Sequence, residues 1–255
     1  VARTCVVTGS ASGIGRATCE RLERDGNRII DVDLHDASIT VDLSTAEGRA
    51  ALVEEVTAAS GGTVDAIVAN AGVMGDPGPC VRVNYFGAVA TLEGLRPLLA
   101  GSAAPRAAAT ASSSVMNLPR DQQELVELCL AGDEEAAVAA SGPVGLLGYP
   151  SSKRALARWV RRKAATEEWA GAGIALNAVA PGIVQTPMTE GMLGDDRMRS
   201  MMDTAVPMPF GGYAEPTDVA EVMAFLTSPD VKRVCGQVIF VDGGADAVLR
   251  GEDIW

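Results

Sequence analysis

The stretch Val6-Val7-Thr8-Gly9-Ser10-Ala11-Ser12-Gly13-Ile14-Gly15, followed by residues 16–25 of helical composition, constrains the fold more than any other part of the chain. A short apolar run is a strand candidate, and a glycine turn leading straight into a helix leaves backbone amides and the positive helix end facing outward. Such a cradle suits a pyrophosphate, so the stretch predicts a strand–turn–helix unit that binds a dinucleotide. The glycines stand at 9, 13 and 15, the T-G-x-x-x-G-x-G variant rather than G-x-G-x-x-G.

The rest of the chain keeps the alternation that such a unit needs. Apolar runs at 28–34, 41–44, 64–69, 174–180 and 237–241 read as strands, and helices are expected over 46–59, 83–99, from Tyr149 onward and from Pro216 onward. Ser44 is the expected N-cap of the first of these helices. Ala107-Ala108-Ala109-Thr110-Ala111 has the composition of a helix, since alanine is the best helix former; only the rhythm of the whole chain assigns it to a strand. With 255 residues and no repeat or low-complexity linker, the expected fold is α/β, one Rossmann-type doubly wound parallel sheet spanning the chain.

The second strand ends on Asp31-Val32-Asp33-Leu34, at the distance from the glycines where a carboxylate meets the adenosine ribose. An acid there accepts hydrogen bonds from both ribose hydroxyls and repels a 2′-phosphate, which favours NAD over NADP. Asp33 is the expected ribose acid, with Asp31 as its rival. Arg16 and Arg28 are the cations that weigh toward NADP. Asp42-Leu43 is expected at the sheet edge nearest an adenine ring. The small residues of Asn70-Ala71-Gly72, at a strand end, permit close approach of a dinucleotide.

Chemistry-bearing residues follow. Asn84 is a polar group in an expected long helix, where asparagine is mildly unfavourable, so it signals either a kink or a held water. Ser112-Ser113-Ser114 falls at a strand C-terminus, where open α/β sheets keep their sites. Tyr149 and Lys153, four apart on a helix, share one face; alone, the pair equally fits a partly buried tyrosine beside a solvated lysine. Pro181-Gly182 ends another strand, and residues 187–212 hold six of the nine methionines, a flexible filler suited to a bulky apolar ligand or to a loosely packed flap.

Residues 117–141 read as an inserted helical hairpin. Its acids, Asp121, Glu124, Glu127, Asp133, Glu134 and Glu135, face only Arg120, while Leu125, Val126, Leu128, Cys129 and Leu130 form an apolar stripe. Gly132 breaks the first helix, and Asp133 caps the second. The stripe is expected to cover either the site or a neighbouring subunit.

Composition removes several function classes. A formal charge of −12, from 33 acidic and 21 basic residues, disfavours nucleic acid and anionic membrane partners. The sole histidine, His35, excludes histidine triads and multi-histidine metal sites, so no metal is expected. Five scattered cysteines without a Cys-x-x-Cys pair, and no apolar run of membrane-spanning length, suggest a reducing, cytoplasmic setting.

Taken in order, Thr8-Gly9 through Gly15, Asn70-Ala71-Gly72, Asn84, the serine cluster, Tyr149-x-x-x-Lys153, Pro181-Gly182 with Thr186, and Asp242-Gly243-Gly244 resemble the short-chain dehydrogenase/reductase family. Residues 41–49, 83–87 and 242–248, with the insertion, are similar to its bacterial 3α-hydroxysteroid dehydrogenase/carbonyl reductase branch. The resemblance implies an NAD-dependent enzyme interconverting a secondary alcohol and a ketone on a bulky apolar substrate such as a 3-hydroxysteroid. Alternatives are a dehydrogenase of aromatic or other small alcohols and a non-catalytic NAD sensor.

It further implies that Tyr149 exchanges the hydroxyl proton and that Lys153, which also binds the nicotinamide ribose, tunes its phenol. Ser114 would hold the substrate oxygen, chosen because the family's serine pair precedes a small or apolar residue and its second member is catalytic, and Asn84 would anchor a water. The implied cofactor contacts are Gly9, Ser12, Gly13, Ile14, Gly15, Asp33, Leu34, Asp42, Leu43, Asn70, Ala71, Gly72, Tyr149, Lys153, Pro181, Gly182, Val184 and Thr186. Extra chain between the serines and the tyrosine implies obstruction of the family's usual packing of the tyrosine helix against its copy. A homo-oligomer, a dimer stabilised by the insertion, is therefore expected.

Overall fold

The computed structural model describes residues 2–119, 123–142 and 147–252; Arg120 and Asp121 of the insertion lie outside them. Seven parallel strands form one sheet in the order β3-β2-β1-β4-β5-β6-β7. They are β1 (Thr4–Thr8), β2 (Arg28–Asp33), β3 (Ile39–Thr40), β4 (Ala66–Ala69), β5 (Arg106–Thr110), β6 (Ala175–Pro181) and β7 (Val238–Val241). The order reverses between β1 and β4, which opens a crevice at the strand C-termini.

Strands covered on both faces have no polar side, and β4, β5 and most of β1 and β6 are buried throughout. That is why β5 is a strand despite its alanines: Ala107, Ala108 and Ala109 are fully buried between the helical layers, and tertiary packing overrides local propensity. The extended stretch expected at 41–44 is instead the pair Ile39–Thr40. Thr45, not Ser44, caps α2 (Ala46–Ser60), its hydroxyl accepting from the Gly48 amide. The Ser44 amide is held by Asp42 Oδ1 at 2.8 Å, which keeps Ser44 one residue outside the cap.

The helix expected over 83–99 starts earlier and is not continuous. It comprises α3 (Pro77–Val81), a π turn (Arg82–Gly87), α4 (Ala88–Leu95) and a 3₁₀ turn (Arg96–Gly101) containing Pro97. Asn84 lies in the π turn, where the backbone ladder shifts register.

The insertion forms the hairpin expected of it, α5 (Glu124–Ala131) and α6 (Glu134–Ala140), with left-handed Gly132 between them and Asp133 Oδ1 capping the Ala136 amide at 3.1 Å. Its apolar stripe packs within the chain: α5 lies on α7 (Gly148–Lys163), with Leu125, Val126 and Cys129 in the main core and Leu128 and Leu130 packed against it. Helices α1 (Gly13–Arg24) and α10 (Pro216–Thr227) pack together on the other side of the sheet, and α8 (Pro187–Gly194) with α9 (Asp196–Ala205) forms the flap. A short α11 (Ala245–Arg250) follows β7. Among the described residues no helix is long and apolar enough to cross a membrane.

Candidate active site

A cleft of about 420 Å³ lies along the C-terminal edge of the sheet. The glycine turn forms one wall. Gly9 has φ +69°, and a Cβ there would fall 2.7 Å from Ala71 Cα; Gly13 has φ +51° and faces Thr186. Both are positions that only glycine fills without displacement. Ser12, Gly13 and Ile14 line the cleft as expected. Gly15 does not: a Cβ there would fall 1.8 Å from the Gly9 carbonyl oxygen, so its role is helix-to-turn packing.

Asp33 stands at the far end. Its Oδ2 accepts from the Ala11 amide at 2.9 Å and its Oδ1 from the Leu34 amide at 2.6 Å, so the carboxylate is locked against the glycine turn. Asp31 turns away and accepts from the Ser38 amide at 3.0 Å. Arg16 pairs with Glu20 and Arg28 donates to the Ala59 carbonyl, leaving Lys153 as the one Lys or Arg among the described lining residues. Leu34, Asp42 and Leu43 line the same end.

Asn70, Ala71 and Gly72 form the floor. Thr8 Oγ1 accepts from the amides of Asn70 and Ala71, both at 3.1 Å, while Thr110 Oγ1 donates to Asn70 Oδ1 at 2.9 Å. Neither threonine was among the expected site residues, although Thr8 opens the glycine motif. A Cβ on Gly72 would lie 3.2 Å from both Asn84 Oδ1 and Lys153 Nζ. Asn84 itself is fully buried behind this floor. Its Oδ1 accepts from the Val73 amide at 2.8 Å, and its Nδ2 donates to the Val73 carbonyl at 2.9 Å and to Ser152 Oγ at 3.3 Å. The side chain expected to anchor a water is therefore committed to backbone and to α7.

Tyr149 lines the cleft, and Lys153 Nζ sits 5.9 Å from its ring centroid. The ammonium donates to the Thr110 carbonyl at 2.7 Å, a partner that sequence spacing does not reveal. Burial lowers Lys153 to about 8. Burial raises the Tyr149 phenol, a hydrogen bond with Ser112 offsets part of this, and Cys80 adds to the rise. Ser112, Ser113 and Ser114 all line the cleft with it, and Ser112 is the one whose hydroxyl bears on the phenol. Ser112 is the extended N-cap of a 3₁₀ turn (Ser113–Asn117), and this turn carries the next two serines away from the strand direction. Ser112 Oγ also accepts from the Ser114 amide at 3.1 Å. The Ser114 hydroxyl is buried without a hydrogen-bond partner among the described residues.

Pro181, Gly182, Val184 and Thr186 line the opposite wall. Thr186 caps α8, its amide donating to Thr189 Oγ1 at 3.1 Å. Of the flap methionines, Met188, Met192 and Met202 line the cleft, joined by Met74 from another loop, with Ala205 and Val206 beside them. Met198 and Met201 face solvent instead, and Met208 packs beneath Gly182, its sulfur accepting from the Ile183 amide at 3.2 Å. Asn117 Nδ2 donates to the Ala205 carbonyl at 3.0 Å and ties the end of the flap to the serine turn.

Comparison with known proteins places this arrangement among relatives. A family model described as Enoyl-(Acyl carrier protein) reductase matches residues 9–246. The chain is 39% identical to 3-alpha-hydroxysteroid dehydrogenase/carbonyl reductase of Comamonas testosteroni over 252 residues, covering 96% of this chain and 97% of that protein. It is 32% identical to cis-4-hydroxycyclohexanecarboxylate dehydrogenase of Sinomonas cyclohexanicum, covering 96% and 97%. Among solved structures it resembles the 3-alpha-hydroxysteroid dehydrogenase from Pseudomonas sp. B-0831 complexed with NADH, with a TM-score of 0.92, 39% identity, and 98% and 100% of the two chains covered.

Proposed function

Because the chain belongs to the short-chain dehydrogenase/reductase family, we propose that it is an NAD-dependent oxidoreductase interconverting a secondary alcohol and a ketone on a bulky apolar substrate of the 3-hydroxysteroid kind. The observation that carries the reading is the joint placement of Tyr149, Ser112 and Lys153 beside a glycine-built cleft whose open end is walled by Met74, Met188, Met192 and Met202. Identity of 39% to a hydroxysteroid enzyme, and likeness to a structure complexed with NADH, support the substrate and the cofactor.

The residues present fit a nicotinamide dinucleotide. Gly9 and Gly13 let the turn pack closely on Ala71 and Thr186 while its backbone lines the cleft, Asp33 offers a fixed carboxylate to ribose hydroxyls, and the Arg16 and Arg28 side chains that weigh toward a 2′-phosphate are engaged elsewhere. Asp42 and Leu43 would border the adenine, Asn70, Ala71 and Gly72 the sugar, Lys153 the nicotinamide ribose, and Pro181, Gly182, Val184 and Thr186 the carboxamide. The bound dinucleotide supplies or accepts the hydride.

The protein moves the proton. In ketone reduction Ser112 Oγ holds the substrate oxygen and the Tyr149 phenol donates to it; in oxidation the direction reverses. Burial above the usual tyrosine range keeps the phenol protonated at neutral pH, which suits it to the donor role. Lys153, held by the Thr110 carbonyl, places a positive charge beside the ring and favours the phenolate when the proton leaves.

We also read the chain as a homodimer. Support comes from α5 lying on α7, which obstructs packing of the tyrosine helix with its copy, and from a half-exposed edge strand β7 near exposed Phe210, Val248 and Leu249. Sedimentation should give a dimer, and a monomer would overturn this. The cytoplasmic setting remains a proposal, supported by five unpaired cysteines among the described residues.

Following NADH absorbance against 3-hydroxysteroids and 3-ketosteroids, aromatic alcohols and small ketones tests the activity. Turnover strongest on the steroids is expected. Cofactor binding without turnover on any of the panel would overturn it in favour of a sensor.

A further inference from the structure

The insertion meets the elements behind the cleft wall through two carboxylates, Glu134 and Glu135, the latter accepting from Arg82 Nη2 at 2.8 Å. Glu134 opens α6 and is 22% exposed. Its Oε2 accepts from Arg49 Nη1 at 2.6 Å, and its Oε1 accepts from Arg49 Nη2 at 2.8 Å and from Arg82 Nη1 at 2.9 Å. Burial works against the ionised carboxyl, but the two guanidiniums more than offset it and hold Glu134 below its ordinary range. It is a bidentate, charge-assisted pair with a second cation attached.

Arg49 spends its other donors on backbone that matters to the site. Nε donates to the Leu43 carbonyl at 2.8 Å, and Nη2 donates to the Arg82 carbonyl at 3.1 Å. Leu43 is part of the cleft wall, and Arg82 starts the π turn that carries Asn84. The two elements touch directly as well, since a Cβ on Gly87, the last residue of that turn, would lie 3.0 Å from Leu43 Cβ. Arg49 and Arg82 carry like charges, and the Glu134 carboxylate bridges them while Glu135 pairs with Arg82 alone.

We propose that Glu134 is a positioning residue for the cofactor: by fixing the Arg49 fork, the inserted hairpin holds the Leu43 wall segment in register with the π turn, and so shapes the adenine end of the cleft. The inference rests on the dinucleotide reading above. Glu134→Gln keeps the shape and removes the charge. Arg49→Lys keeps the charge and removes the fork, so it serves if the first variant fails to fold.

The readout is direct NADH binding by fluorescence titration of the full chain, with kcat at saturating NADH as the companion. Remote couplings of this kind shift affinity by roughly three- to thirtyfold. The Kd for NADH should rise within that range in both variants while kcat changes far less, and Glu134→Asp should restore part of the affinity. If the unaltered chain binds NADH and both variants bind it equally well, with only their melting temperatures lowered, the ion pairs are merely structural and the inference is wrong. Failure of the unaltered chain to bind NADH would overturn the dinucleotide reading and this inference with it.

Discussion

Exchanging the two candidate serines separately gives opposite results if the geometry is right. Ser112 lines the cleft with Tyr149, lowers the pKa of its phenol, and accepts from the Ser114 amide at 3.1 Å, so Ser112→Ala removes a polar group that serves both. Losing one preorganised hydrogen bond to a reacting oxygen costs a factor of about 10² to 10³ in kcat, or about 2.7 to 4 kcal/mol of barrier. The lost acceptor costs a further ~1 kcal/mol of stability, a fall of about 2–4 °C in Tm for a chain of this size. Ser114→Ala deletes a buried hydroxyl with no partner among the described residues. No hydrogen bond is lost, and the desolvation penalty of an orphan group, about 1–3 kcal/mol, is relieved, so stability should hold or rise. The assay is steady-state ketone reduction at saturating NADH, paired with thermal melts. Near wild-type turnover in Ser112→Ala together with inactivity in Ser114→Ala would refute the assignment.

Three further perturbations probe separate parts of the site. Asp33→Ala should raise NADP use relative to NAD and loosen the glycine turn through loss of the Ala11 contact; an unchanged cofactor ratio would mean that another group reads the ribose. Lys153, lowered to about 8 by burial, binds fewer protons folded than unfolded between that pH and its ordinary value near 10.4, so its penalty on stability fades as pH rises through this window. Lys153→Met should therefore be the more stable protein in urea at pH 7 and lose most of that advantage, on the order of 3 kcal/mol, by pH 10; a pH-independent difference would contradict this. Asn117→Ala cuts the tie to the Ala205 carbonyl and should raise KM for a steroid by several-fold with little change in the Kd for NADH, and equal effects on both would show that the flap does not act on substrate alone.

Where one local signal dominates, sequence and structure agree. The glycine turn, the order of strands and helices, and the hairpin with Gly132 and Asp133 at its bend follow from backbone chemistry written in a few adjacent residues. Strand alternation puts Asp31 and Asp33 on one face and cannot separate them; their different partners in the structure do. The serines were not separable, because three adjacent hydroxyls differ only in where the 3₁₀ turn begins, and that depends on packing distant in sequence. The same limit hid the Thr110 carbonyl under Lys153 and the Arg49–Glu134 pair, which lie 43 and 85 residues apart in the chain. Asn84 signalled a kink or a held water through its poor fit to a helix, whereas the π turn around it and its bonds to Val73 were visible only in three dimensions. The methionines likewise share a segment but not a role, since three face the cleft and Met208 supports Gly182.

The most direct test is a single-turnover measurement of NADH oxidation by a 3-ketosteroid in Tyr149→Phe, a change that deletes one oxygen atom from the centre of the site. NADH should bind as in the unaltered protein, and hydride transfer should be nearly abolished because the group assigned to donate the proton is gone. Transfer at the unaltered rate would mean that Tyr149 is not the proton donor, and the account built around it would fall.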